Sequence, residues 1–228
     1  MPLGSFLTDG VSTRLCELLV PGVVPYIESV VLQESYVDRI AEGCESEKLI
    51  LLEHPHVITL GRGFHGENLL FTPEWLREQG IAVEESGRGG DVTYHGPGQV
   101  VGYPILDLSD RPDLHLYLRN LEELMIRAVG DFGIQGGRKL GLTGIWVGDD
   151  KIGAIGVRVS RWITSHGFAL NVNTNLKYFD YIVPCGIRRH GVTSMKKLLG
   201  RDISLEEVHG SLGKHFEKIF QRKLVRHD

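Results

Sequence analysis

Apolar residues along this chain alternate between two spacings, a helix-face repeat and the near-continuous runs of buried strand. That alternation confines the chain to a mixed α/β architecture. From Pro25 to about Ala41, the residues Ile27, Val30, Val31, Val37 and Ile40 fall at helical spacing, with Gly43 beyond them. From Leu114 to Phe132, Leu118, Leu121, Met125 and Val129 share one face and Gly133 follows, which predicts a second long helix. A short helix is expected in TPEWLREQG, entered at Thr72 and stopped by Gly80, and a last one from Leu205 to about Arg222. Between the helices, TRLCELLV, KLILLEHPHVITLG (interrupted at Pro55), IAVEES, QVVGYPILDL and SHGFALNVN read as strands. GIWVGDDKIGAIGVRV reads as a hairpin turning at Asp149-Asp150. The expectation is α/β: one domain over residues 1–228, with mixed sheets flanked by helices.

Composition narrows the function classes. A formal net charge of −4 argues against a general nucleic-acid binder, which needs a surplus of Lys and Arg. Cys16, Cys44 and Cys185 are too few and too scattered for a disulfide framework or a CxxC-type zinc site, and a reducing cytoplasm fits best. No metal or other cofactor is expected. MPLGSFLTDG lacks a basic start and an apolar core, and no run of about 18 apolar residues occurs, so neither export nor a membrane span is expected.

Two stretches carry more chemistry than a fold needs. GRGGDVTYHGPGQVVGY, Gly87 to Tyr103, packs six glycines with Arg88, Thr93, Tyr94, His95 and Gln99 into seventeen positions. It is neither a P-loop nor a dinucleotide fingerprint. Its glycines either let backbone approach a ligand or serve only the bulges of a hairpin, and composition leaves both readings open. In IVPCGI, Cys185 between Pro184 and Gly186 is either a buried filler or a nucleophile.

Arg88-Gly89-Gly90, Thr93-Tyr94-His95, Gln99 and Tyr103 resemble the signature of the lipoyl(octanoyl) transferase family. The similarity continues through TGIWVGDDKIGAIGVRVSRWITSHGFALNVNTNL to IVPCGIRRHGVTSM, covering roughly residues 20 to 200. The resemblance implies the fold of biotin and lipoate protein ligase catalytic domains. It also implies an ATP-independent acyltransferase that moves an octanoyl group from acyl carrier protein to a lysine of the lipoyl domains of 2-oxoacid dehydrogenases and of the glycine cleavage H protein. It assigns the nucleophile to Cys185 and its partner to Lys151. Substrate contact falls to Arg88, Gly89, Gly90, Asp91, Val92, Thr93, Tyr94 and His95, to Ala154, Ile155 and Gly156, and to Gly167, Phe168 and Ala169.

The chemistry supports that assignment independently. A thiol near pKa 8.5 is mostly protonated at neutral pH, and a neighbouring ammonium favours the thiolate. Without the resemblance, Lys151 would read as a solvated hairpin lysine after Asp149-Asp150. Small residues in KIGAIGV leave room for an acyl chain, whose burial contributes up to about 5 kcal/mol at about 0.8 kcal/mol per methylene. His95 and His166 are expected to position substrate rather than act as base. Arg158, Arg161, Arg188, Arg189, Lys196 and Lys197 could dock an acidic carrier. The rival readings are an ATP-dependent lipoate ligase and a non-catalytic acyl-binding module.

Overall fold

The computed structural model describes residues 14–183 and 190–226. Cys185, Arg188 and Arg189 lie outside the described residues. Among the described residues, eleven strands and five α-helices make two sheets and the layers that cover them. The first is β1 (Arg14–Val23), followed by α1 (Tyr26–Ala41), β2 (Glu47–Glu53) and β3 (Val57–Leu60). Next come α2 (Pro73–Glu78), β4 (Ala82–Glu85), β5 (Val92–His95), β6 (Gln99–Ile105) and α3 (Leu114–Gly130). The remaining elements are β7 (Gly137–Lys139), β8 (Leu142–Val147), β9 (Asp150–Ser160), β10 (Ile163–Asn171), α4 (Met195–Leu199), α5 (Leu205–Phe220) and β11 (Arg222–Val225).

The large sheet runs β11-β1-β2-β6-β10-β9-β8-β7 and the small one β4-β3-β5. Helices α3 and α5 cover the large sheet with a core that includes Leu121, Met125, Ile145, Ile152, Leu212 and Phe216. α1 lies over a second cluster around Ile50, Val101, Tyr103 and Ala169. The small sheet closes on α2 and a 3-10 turn at Leu176–Tyr181. The mixed α/β class with helix-flanked sheets is therefore what the structure shows.

Several expectations change in detail. α1 does not bury Ile27 and Val31, which are exposed; its inner face carries Tyr26, Ser29, Gln33, Val37 and Ile40. Polar Ser29 and Gln33 occupy that face because they bond local and sheet backbone, as Gln33 does at His166. The interruption expected at Pro55 separates two strands that belong to different sheets. The glycine-rich stretch is not a hairpin: β5 belongs to the small sheet and β6 to the large one. The third-quarter hairpin pairs Val147 with Asp150, so its turn is Gly148-Asp149, with Gly148 at φ 57. α3 stops at Gly130, and α5 stops at Phe220, where Gln221 turns left-handed (φ 55) and Arg222 opens β11.

Candidate active site

A pocket of about 490 Å³, mouth included, opens at the seam of the two sheets. From the glycine-rich stretch come Arg88, Gly90, Asp91, Val92, Thr93 and His95; from β9 come Ala154, Ile155 and Gly156; from β10 come His166, Gly167, Phe168 and Ala169. Tyr26, Val101 and Tyr103 complete the lining. Backbone contact explains why the segments are glycine-rich. A Cβ on Gly167 would lie 2.2 Å from the Gly102 carbonyl oxygen, and one on Gly156 would lie 2.9 Å from that of Gly89.

Of the sequence-expected contact residues, Gly89 and Tyr94 do not line the pocket. The Gly89 N–H donates to the Val157 carbonyl at 2.9 Å, tying the glycine-rich loop to β9. Tyr94 points the other way, as alternation along a strand requires; its hydroxyl bonds His56 Nδ1 at 2.7 Å and its ring stacks on Tyr178. Arg88 is a clamp as well as a wall: it donates to the Thr59 carbonyl and hydroxyl and to the Gly89 carbonyl. Sequence reasoning placed no substrate contact at Tyr26 or Val101, whose positions in the seam depend on long-range packing.

The two histidines of the lining are held neutral. Burial, helped by His54, pushes His95 down to about pKa 3. Burial also lowers His166 to about 4, with Arg88, Arg158 and Arg62 acting in the same direction. Gln99 donates from Nε2 to the Tyr94 carbonyl and to Asn171 Oδ1, so its Oε1 faces His95 Nδ1 at 2.7 Å. That network assigns the His95 proton to Nδ1 and leaves Nε2 as an acceptor. His166 sits at φ 56, a conformation uncommon for a non-glycine residue, and its N–H donates to Gln33 Oε1 at 2.7 Å.

Behind the pocket lies a narrower space bounded by Lys151, Gln99, Gly153, Asn171, Phe179 and Val192. Thr93, Ala154 and Ala169 line both spaces. Lys151 is therefore no solvated hairpin residue: it is 9% exposed. Its stem passes Gly144, whose φ of 113 is open to glycine and where a Cβ would sit 2.5 Å from the Gly153 carbonyl oxygen. The Lys151 N–H donates to the Gly191 carbonyl and its own carbonyl accepts from Thr193 N–H, both at 2.9 Å. Asn171 Nδ2 donates to the Thr193 carbonyl. The chain that resumes after the undescribed residues 184–189 is thus fastened beside Lys151. Val183, on their other side, donates its N–H to the Asn68 carbonyl at 2.8 Å.

Of the expected docking residues, Arg158 and Arg161 pair with Glu34 and Asp38 of α1, Lys196 with Asp202, and Lys197 lies 3.9 Å from Asp150. Among the described residues, no three His, Cys, Asp or Glu side chains gather as a metal site, and no helix is long and apolar enough to cross a membrane.

Residues 25–217 match the family model described as the lipoyl protein ligase A/B catalytic domain. The fold agrees. A crystal structure of lipoate-protein ligase A bound with ATP superposes with a TM-score of 0.75 at 17% identity, covering 94% of this chain and 90% of that one. Biotin protein ligase from Aquifex aeolicus gives 0.51 at 13% identity, over 90% of this chain and 69% of that one. These likenesses carry the fold alone. The chain belongs to the lipoyl protein ligase A/B catalytic-domain family. Within it, the chain is 52% identical over 213 residues to an octanoyltransferase of Solibacter usitatus (strain Ellin6076), covering 93% of this chain and 96% of that protein. This places it with the lipoyl(octanoyl) transferases, a group of acyltransferases.

Proposed function

We propose that the protein transfers an octanoyl group from octanoyl-acyl carrier protein to a lysine of lipoyl domains, through a thioester on Cys185 and without ATP. The observation that carries this reading is the shared wall of Thr93, Ala154 and Ala169 between the pocket and the cavity of Lys151. An acyl chain laid in the pocket brings its carbonyl end toward the lysine.

The chemistry then runs in two displacements. The Cys185 thiolate adds to the donor thioester carbonyl; the carrier's thiolate leaves and takes a proton from the Lys151 ammonium. The acceptor lysine's amine attacks the acyl-cysteine, Lys151 accepts its proton, and Cys185 leaves as thiolate. Thioester exchange is nearly neutral and thioester to amide runs downhill, so the protein supplies position and charge. Acceptors of the proposed kind include the lipoyl domains of 2-oxoacid dehydrogenases and the glycine cleavage H protein.

Intact-mass measurement after mixing the protein with octanoyl-acyl carrier protein, no nucleotide present, tests the reading. The expected result is one octanoyl adduct per chain, mapped to Cys185 and discharged by a lipoyl domain. Transfer to a lipoyl domain that requires ATP and leaves no adduct would make the protein a ligase, and neither adduct nor transfer would make it an acyl-binding module.

A further inference from the structure

Trp146 stands directly across the strand pair from Lys151, and a bulge puts it there. In the β8–β9 pairing Ile145 faces Gly153, but Trp146 faces Lys151, a one-residue shift that leaves Ile152 without a partner of its own. Bulges of this kind re-aim side chains and are enriched beside active sites. Here the bulge brings Lys151 Nζ to 4.9 Å from the indole centroid, inside cation–π range. The same ring meets His190 edge to face, with centroids 5.2 Å apart. His190 is the first described residue after the segment that carries Cys185.

A core role does not account for this tryptophan. It is 3% exposed, yet the apolar cluster that takes in its neighbour Ile145 does not include it. Its indole N–H has no partner among the described residues, so no hydrogen bond among them orients the ring. Lys139 Nζ also lies 5.0 Å from the ring centroid and pairs with Asp149 at 2.5 Å. The ring's company is cationic and polar, which matches the negative face of an indole.

We propose that Trp146 is a positioning residue that holds the Lys151 ammonium over its ring while bracing His190, and so fixes the lysine for its part in the transfer. This rests on the assignment of Lys151 and Cys185 to the transfer reaction. The ring touches no substrate; its effect passes through the lysine.

The test compares wild type, W146L, W146F and K151M. Two quantities are read: the pH dependence of Cys185 alkylation by iodoacetamide, and kcat and KM with octanoyl-acyl carrier protein. K151M is expected to move the alkylation profile to higher pH. W146L should move it the same way and lower kcat about tenfold, with KM within about twofold of wild type. Phe keeps a π face with a weaker quadrupole, so W146F should fall between, with about a threefold loss of kcat. Circular dichroism reports whether each variant folds, and if W146L does not, W146F against wild type decides. A W146F or folded W146L that matches wild type in both profile and kcat overturns the inference, as does a loss that appears only in KM. A K151M variant with an unchanged profile and turnover overturns the lysine assignment itself, and the role of Trp146 with it.

Discussion

Pro104 and His166 stand opposite each other across β6 and β10: the register that pairs Phe168 with Gly102 and Ile163 with Asp107 brings them face to face. A proline inside a central strand has no N–H for its neighbour, and β10 answers with the left-handed turn at His166. The His166 N–H, turned out of the ladder, is met by Gln33 from α1. The irregularity falls in the pocket wall, which His166 lines.

Gln33→Leu should therefore destabilise the fold. It removes the acceptor of a buried N–H, a loss of about 1–3 kcal/mol. A lower urea midpoint with an unchanged m-value is the expected result. A midpoint equal to wild type would mean that the His166 N–H finds another acceptor.

Cys185→Ala should abolish the octanoyl adduct and catalytic transfer while leaving the melting temperature near that of wild type. In the proposed mechanism the thiolate serves both as nucleophile and as leaving group. Cys16 offers no substitute: it is fully buried, and burial, reinforced by Glu47, pushes its thiol well above the usual range. Substantial turnover in the alanine variant would sink the covalent mechanism.

Stability should fall in mild acid. Burial lowers His54 to about pKa 4, as it lowers His166 to about 4 and His95 to about 3, while unfolded histidine titrates near 6.5. Between those values the unfolded chain binds more protons, so stability is fully present above about pH 6.5 and is lost as pH falls toward about 4. His54 donates Nδ1–H to the Val24 carbonyl and accepts from the Tyr103 hydroxyl at Nε2. His54→Gln should flatten this limb, measured as the urea midpoint from pH 7 to pH 5. An equally steep limb in the variant would assign it to other groups.

Charge reversal at Arg158 and Arg161 tests whether they steer the carrier. Both are engaged with α1 carboxylates, and such exposed pairs contribute about 0–1 kcal/mol, so they remain available to a partner. The double Glu variant should slow reaction with octanoyl-acyl carrier protein more than with a small octanoyl thioester, and added salt should slow the wild-type carrier reaction. Equal losses for both donors would assign the arginines to the fold.

The elements themselves were legible in the sequence, since the core faces of α3 and α5 and the runs of β2 and β10 follow local periodicity. Sheet membership was not: nothing local says that β3 leaves β2 at Pro55 to pair with β4 and β5. The α1 face was misread for a related reason, because Gln33 is buried by its hydrogen bond to a strand far away in the chain. At the site, segment composition pointed to the glycine-rich stretch and the two later strands, and most of those residues share the pocket. Trp146 and Asn171 carry no such mark, since a bulge and a cross-strand amide chain have no signature in composition.

Thr93 and His95 reach the ligand space from the small sheet, while Ala154 and Ala169 reach it from the large one. The calibre of that space is therefore a distance between two sheets, adjustable without touching the wall. Beneath the small sheet, Tyr178 stacks on both His56 and Tyr94. A slimmer or bulkier side chain at Tyr178 would shift the wall as a plate, making the width of the pocket a trait encoded outside the residues that line it.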